Sequence, residues 1–130
     1  MLSKLAAGDE PNSILADLGF TAMRVAAGLM MAFGTDLLGE MHRHQSEEFV
    51  IRGRVLPAIE VIRTATINAA TLLRMEGKIG VVAPGAFADL IVVEGDPLQD
   101  LALLTGQGRH MPAIMLGGRF VKDHTHRLNA

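Results

Sequence analysis

Cysteine is absent from the 130 residues of this chain, as are tryptophan and tyrosine. Without cysteine there is no disulfide framework, and a reducing compartment, the cytoplasm, is the expected location. Aromatic residues make up only 4% of the chain, all of them phenylalanine. The core must therefore be aliphatic, with the eight methionines filling irregular gaps. Excess positive charge is also lacking. The formal net charge is −2 and the isoelectric point lies near 6.2, which speaks against a general nucleic-acid binder, since that would need a basic face. No long apolar run occurs either. The longest, residues 25–33, falls far short of the roughly 20 needed to span a bilayer. The opening string MLSKLAAGDEP lacks the apolar core of a signal peptide. No membrane partner is expected.

What the chain does contain is apolar and suited to one domain. It is 49% hydrophobic with mean hydropathy +0.30, and its length allows a real core. Ser13 can cap a helix over residues 13–27 that Gly28 ends. Residues 29–33 read as a buried strand, and Gly34-Thr35-Asp36 closes it, setting a carboxylate just past the strand's C-terminal end. Residues 37–54 are polar and mixed, a long loop with a helical turn around 46–50. Pro57 opens a single helix to residue 74, with Ala58, Ile62, Ala65, Ala69, Leu72 and Leu73 on one face and Gly77 past its end. Residues 98–104 read as a helical turn. Residues 112–116 and 119–122 read as strands around Gly117-Gly118, a tight-hairpin dipeptide.

The most distinctive stretch is 78–97, KIGVVAPGAFADLIVVEGDP. A short apolar run, 79–83, reads as a strand and leads into Pro84-Gly85, the order a type II turn wants. Asp89 then precedes Leu90, Ile91, Val92 and Val93, the composition of a strand buried on both faces. Gly95-Asp96-Pro97 stops it. Asp89 is expected to cap backbone N–H groups at its own turn.

This stretch resembles the segment near the C-terminus of metal-dependent amidohydrolases that belongs to a small β-sandwich beside the catalytic barrel. AFGTD at 32–36 resembles the eighth-strand motif of the same superfamily, and RTATINAATLL at 63–73 resembles its next helix. The likeness is to the imidazolonepropionase-like and prolidase-like branch. It implies an α/β fold: the last β/α elements of a TIM-type barrel, followed by strands of the small β-sandwich domain. Residues 1–76 would be the barrel portion, 77–123 the sandwich portion and 124–130 a tail.

The resemblance further implies hydrolysis of C–N bonds in a small-molecule amide or peptide, a dipeptide or an N-acyl amino acid, using one or two zinc-like ions. Asp36 is the one residue matching the family's metal-binding, proton-shuttling aspartate, and its place at a strand end suits that role. His42, His44, Gln45 and Glu48 lie in the loop after that strand, either lining a substrate entrance or forming a solvated helix face. The HxH pairs His42/His44 and His124/His126 carry ligand chemistry in principle. Surface histidines are the favoured reading of both pairs.

A complete barrel needs about 250 residues, and the family's first-strand HxH, its bridging lysine and its later histidines have no counterpart here. The chain is therefore expected to be a C-terminal segment, inactive alone, with no tightly held zinc. The alternatives are a non-catalytic, self-associating module of the same ancestry and a subunit that completes a site on another chain. The apolar 29–33 run, bare on both faces, predicts a homo-oligomer.

Overall fold

The computed structural model describes residues 23, 26–35 and 37–125. Most of the helix expected over 13–27 falls outside them, as do Asp36 and His126. Among the described residues, three α-helices, α1 (Glu47–Arg52), α2 (Ala58–Ala65) and α3 (Ile67–Leu72), precede a sheet of three strands: β1 (Leu90–Val92), β2 (Ala113–Leu116) and β3 (Arg119–Asp123). Turns of 3₁₀ helix occupy Gly39–His44, Leu101–Leu104 and Gly106–Gly108.

The run at 29–33 pairs with no strand among the described residues. It lies along the helices instead. The Phe33 N–H donates to the Thr64 carbonyl at 2.8 Å, and the Asn68 side-chain amide donates to the Met31 carbonyl at 2.9 Å. A strand is a property of a pair, so apolar, β-compatible residues without a neighbouring strand take their backbone partners from whatever packs beside them.

The single helix expected over 57–74 is two. Pro57 opens α2 with φ −56°, a value proline supplies without strain. Val61 and Thr64, one turn apart, turn inward and are buried. The break falls at Thr66, whose φ and ψ are −122° and −97°. Two hydroxyls bond backward at this place, Thr64 to the Val61 carbonyl at 2.6 Å and Thr66 to the Ile62 carbonyl at 2.8 Å. Such back-bonding competes with the helical ladder and bends it. The gap admits Gly80, where an added Cβ would meet the Thr66 carbonyl carbon and oxygen at 2.6 Å.

The sheet is antiparallel in the order β1-β2-β3. Leu90 faces Met115 and Val92 faces Ala113, and a bulge interrupts β2–β3 pairing between Ile114 and Met115. Gly117 and Gly118 take φ of 55° and 77°, the pair of positive values that tight two-residue hairpins need. Asp89 does cap a turn, though it is this one, far along the chain: the Gly117 N–H donates to Asp89 Oδ1 at 2.6 Å. Two expectations give way here. Residues 79–83 form no strand, and β1 is not buried on both faces, since Ile91 is 52% and Val92 49% exposed.

The core sits among the helices and the Leu101–Leu104 turn. Val61, fully buried, packs with Leu56, Leu101 and Leu104, and Met31, Phe49 and Met111 close around them. Asp100 caps the turn by accepting from the Ala102 N–H at 2.9 Å. A second, smaller cluster joins Leu37 to Ile51, with Met41 and Val55 against it.

Candidate functional site

Phe33, in the AFGTD segment, packs against α1. This helix starts with Glu47 and Glu48 in its first turn and ends at Gly53, whose N–H donates to the Phe49 carbonyl at 3.0 Å. Acidic residues at the start complement the helix dipole. The face turned toward Phe33 carries Glu48, Phe49 and Arg52. The rings of Phe33 and Phe49 stack with centroids 4.4 Å apart and planes tilted by 32°. The Arg52 guanidinium lies over the Phe33 ring at 5.4 Å, within cation–π range. Arg52 Nε donates to Glu48 Oε1 at 2.5 Å, and Arg52 Nη2 pairs with the same oxygen.

Both members of this pair are largely buried, Glu48 being 9% exposed. Burial pushes the Glu48 carboxyl above its ordinary pKa of 4.5, against the opposing pull of Arg52 and of the Gly34 backbone N–H bonded to it. Arg52 Nη1 is buried without a hydrogen-bond partner among the described residues.

The other residues singled out in the loop lie apart. His42 is exposed. His44 has both ring nitrogens engaged: Nε2 accepts from Arg43 Nε at 3.0 Å, and Nδ1 lies 2.6 Å from Glu47 Oε1. A nitrogen that accepts carries no hydrogen, so these contacts assign the proton to Nδ1 and leave neither lone pair free for a metal. Gln45 borders a cleft of about 370 Å³ with Phe33, Ser46, Phe49, Gln107 and Met111. Gln107 ties that rim to the 3₁₀ turn by donating to the Arg43 carbonyl. His124 is exposed.

Among the described residues, no three His, Cys, Asp or Glu side chains gather to hold a metal ion. The described part of the chain does not by itself form a closed metal site. Asp36 lies outside the described residues. Sequence reading missed Arg52 and Phe33. The Glu48/Arg52 spacing of four was a legible helix pair, but nothing local pointed to the contact of Arg52 with Phe33.

The order of motifs and the fold agree with what known proteins show. Residues 7–121 match the amidohydrolase family, and the chain belongs to that family. A solved amidohydrolase superposes with a TM-score of 0.80 at 47% identity, covering 82% of this chain and 26% of its own. A prolidase solved with N-methylphosphonate-L-proline superposes with a TM-score of 0.78 at 42% identity, again over 82% of this chain and 26% of its own. The 5-methylthioadenosine/S-adenosylhomocysteine deaminase of Desulfitobacterium hafniense is 33% identical over 94 residues, 72% of this chain. The chain spans only 22% of that deaminase's length. No helix among the described residues is long and apolar enough to cross a membrane.

Proposed function

We propose that this chain supplies the C-terminal β/α elements of a TIM-type barrel (1–76) and part of a small β-sandwich (77–123) to a metal-dependent hydrolase of C–N bonds. Its substrate is a dipeptide or an N-acyl amino acid. The observation that carries this reading is the prolidase likeness: 42% identity over 82% of the chain, across the GTD, ATINAA and PGAFADL motifs in family order. The deaminase likeness, 33% over 72%, supports a second reading in which an amino group on a purine is removed. Higher identity over more of the chain favours the peptide.

In this reading Asp36 serves as a metal ligand and moves a proton toward the leaving nitrogen. A zinc-like ion, when bound, supplies Lewis acidity. A catalytic zinc site needs about three protein ligands. The others would come from barrel strands on a further segment or another chain. The apolar 29–33 run would then regain strand neighbours in an oligomer or a completed barrel. The cysteine-free composition suits work in the cytoplasm.

The test is complementation. The chain alone should hydrolyse neither dipeptides nor N-acyl amino acids and should bind Zn²⁺ weakly by calorimetry. Produced together with the N-terminal three quarters of a prolidase relative, it should restore cleavage of Xaa-Pro dipeptides, and Asp36→Asn should abolish it. Metal-dependent turnover by the chain alone, or full activity in Asp36→Asn, would sink the proposal. Deamination of 5-methylthioadenosine with no peptide cleavage would select the second reading.

A further inference from the structure

The cleft of about 370 Å³ lies between the residues that open α1 and the Gly106–Gly108 turn. Its volume falls within the range of small-molecule sites, about 300–1,000 Å³. Phe33, Phe49 and Met111 give it apolar surface, and Gln45, Ser46 and Gln107 give it polar groups. None of the described residues lining it is ionisable. A charged group entering it would lose water without gaining a counter-ion, at a high cost. The cleft therefore suits an uncharged apolar group attached to a hydrogen-bonding one.

Two features of this lining forgo stability that the fold could have had. Ser46 stands at the N-cap position of α1 but makes no side-chain cap bond. Serine is favoured there because its hydroxyl can accept a helix N–H; here the residue borders the cleft instead. Gln107 has φ 57° and ψ 36°, between Gly106 at φ 66° and Gly108 at φ 73°. Successive left-handed residues are easy for glycine and costly for glutamine, whose Cβ crowds the following carbonyl. The strain points to a use for the side chain. That side chain donates to the Arg43 carbonyl, so Gln107 is a strut between its own turn and the Gly39–His44 turn. Lys122 Nζ steadies the strut's base by donating to the Gly108 carbonyl at 2.7 Å.

We propose that this cleft is the subsite for an apolar amino-acid side chain of the substrate, with Gln45 and Ser46 meeting the adjoining amide and Gln107 holding the rim. A hydroxyl and a carboxamide each offer donors and acceptors, which matches an amide's N–H and carbonyl. Contact with the Phe33–Phe49 stack and Met111 supplies the affinity. The charged ends of the substrate lie outside the cleft, where water reaches them. This rests on the reading of the substrate as a dipeptide or an N-acyl amino acid, and it narrows that class to members with an apolar side chain. The cleft itself can be tested without metal or a further barrel segment.

The experiment is titration of the full chain with N-acetyl-L-leucinamide, a neutral amide with an apolar side chain, followed by nuclear magnetic resonance. Shifts should gather at Phe33, Ser46, Phe49 and Met111, with a Kd of about 1–10 mM, ordinary for a ligand of this size. N-acetylglycinamide, which lacks the side chain, should bind at least about tenfold more weakly. Ser46→Ala removes no cap and should weaken binding about threefold to tenfold. Gln107→Gly should raise the urea midpoint, because it relieves the left-handed strain, yet weaken binding about tenfold. A merely structural role for Gln107 would move stability and binding in the same direction. Absence of shifts at the cleft at about ten times the expected Kd would overturn the proposal. So would equal binding of N-acetylglycinamide, unchanged binding in Ser46→Ala, or a Gln107→Gly chain that binds as well as the parent or is less stable. Asp36→Asn should leave this binding unchanged while abolishing restored cleavage, so a failed cleft and a failed hydrolase reading give different results.

Discussion

The helical half and the sheet half draw on similar aliphatic residues and bury them very differently. In α2 Val61 is wholly enclosed. Across the 79–92 stretch Val82 is 87% exposed, with Ile91 and Val92 near half. The helices meet partners within the chain: Leu56, Leu101 and Leu104 converge on Val61. The stretch with the most specific motif meets few. Its distinctive residues set backbone direction instead. Gly85 takes φ 85°, and Asp89 caps a distant hairpin. A motif can thus be the most recognisable part of a chain while contributing little to that chain's core.

Substitutions can break or sharpen this contrast. The largest expected effect is in the helical core. Val61→Ala should cost about 2–3 kcal/mol, a transfer loss plus a residual cavity, whereas Val82→Ala should stay within about 0.5 kcal/mol. Urea unfolding followed by circular dichroism compares the two, and equal losses would mean that the halves do not differ as described. Next comes the seam between them. Gly80 has φ +74° and its added Cβ would strike the Thr66 peptide at 2.6 Å, so Gly80→Ala should cost about 2 kcal/mol. A neutral Gly80→Ala would show that the seam yields.

Asp89→Ala should cost about 1 kcal/mol by stripping the Gly117 N–H of its acceptor. The loss should appear as fraying of the β2–β3 hairpin in amide exchange while α2 stays protected. Loss of α2 protection instead would tie the hairpin to the helical core.

The smallest effect is a pH dependence. Glu48 has its folded pKa raised above 4.5, with burial outweighing Arg52. The folded state therefore binds that proton more tightly than the unfolded one. The stabilisation is fully present below the unfolded pKa and is lost as pH rises through the folded pKa. The parent chain should lose stability relative to Glu48→Gln as the pH rises above 4.5. Relative gain over that interval would mean that Arg52 dominates burial.

Much of the local structure was legible in the residues. Gly117-Gly118 announced the hairpin, Pro57 announced the start of α2, and the 98–104 stretch read as a helical turn. The break at Thr66 was less legible, because apolar periodicity continues through it. It takes the Thr64 and Thr66 hydroxyls turning back, and Gly80 moving into the gap, to divide the helix. The candidate site was legible as a motif around Asp36 but not as an assembly. Glu48 reads equally well as a solvated helix face until its burial against Arg52 is seen.

By itself the sequence determined family membership, the absence of disulfides, an aliphatic core, the turns that glycine and proline dictate, and Asp36 as the one residue matching the family's metal-binding aspartate. These follow from local chemistry: φ preferences, helical spacing and side-chain type act within a few residues. Only the tertiary structure decided that 29–33 leans on α2 and α3 rather than pairing as a strand. It also placed the Asp89 carboxylate on a hairpin far along the chain, and it packed α1 against Phe33 and Leu37. Those outcomes depend on which distant groups come into contact, and the free energy of a buried pair or a backbone cap exists only once both partners are in place.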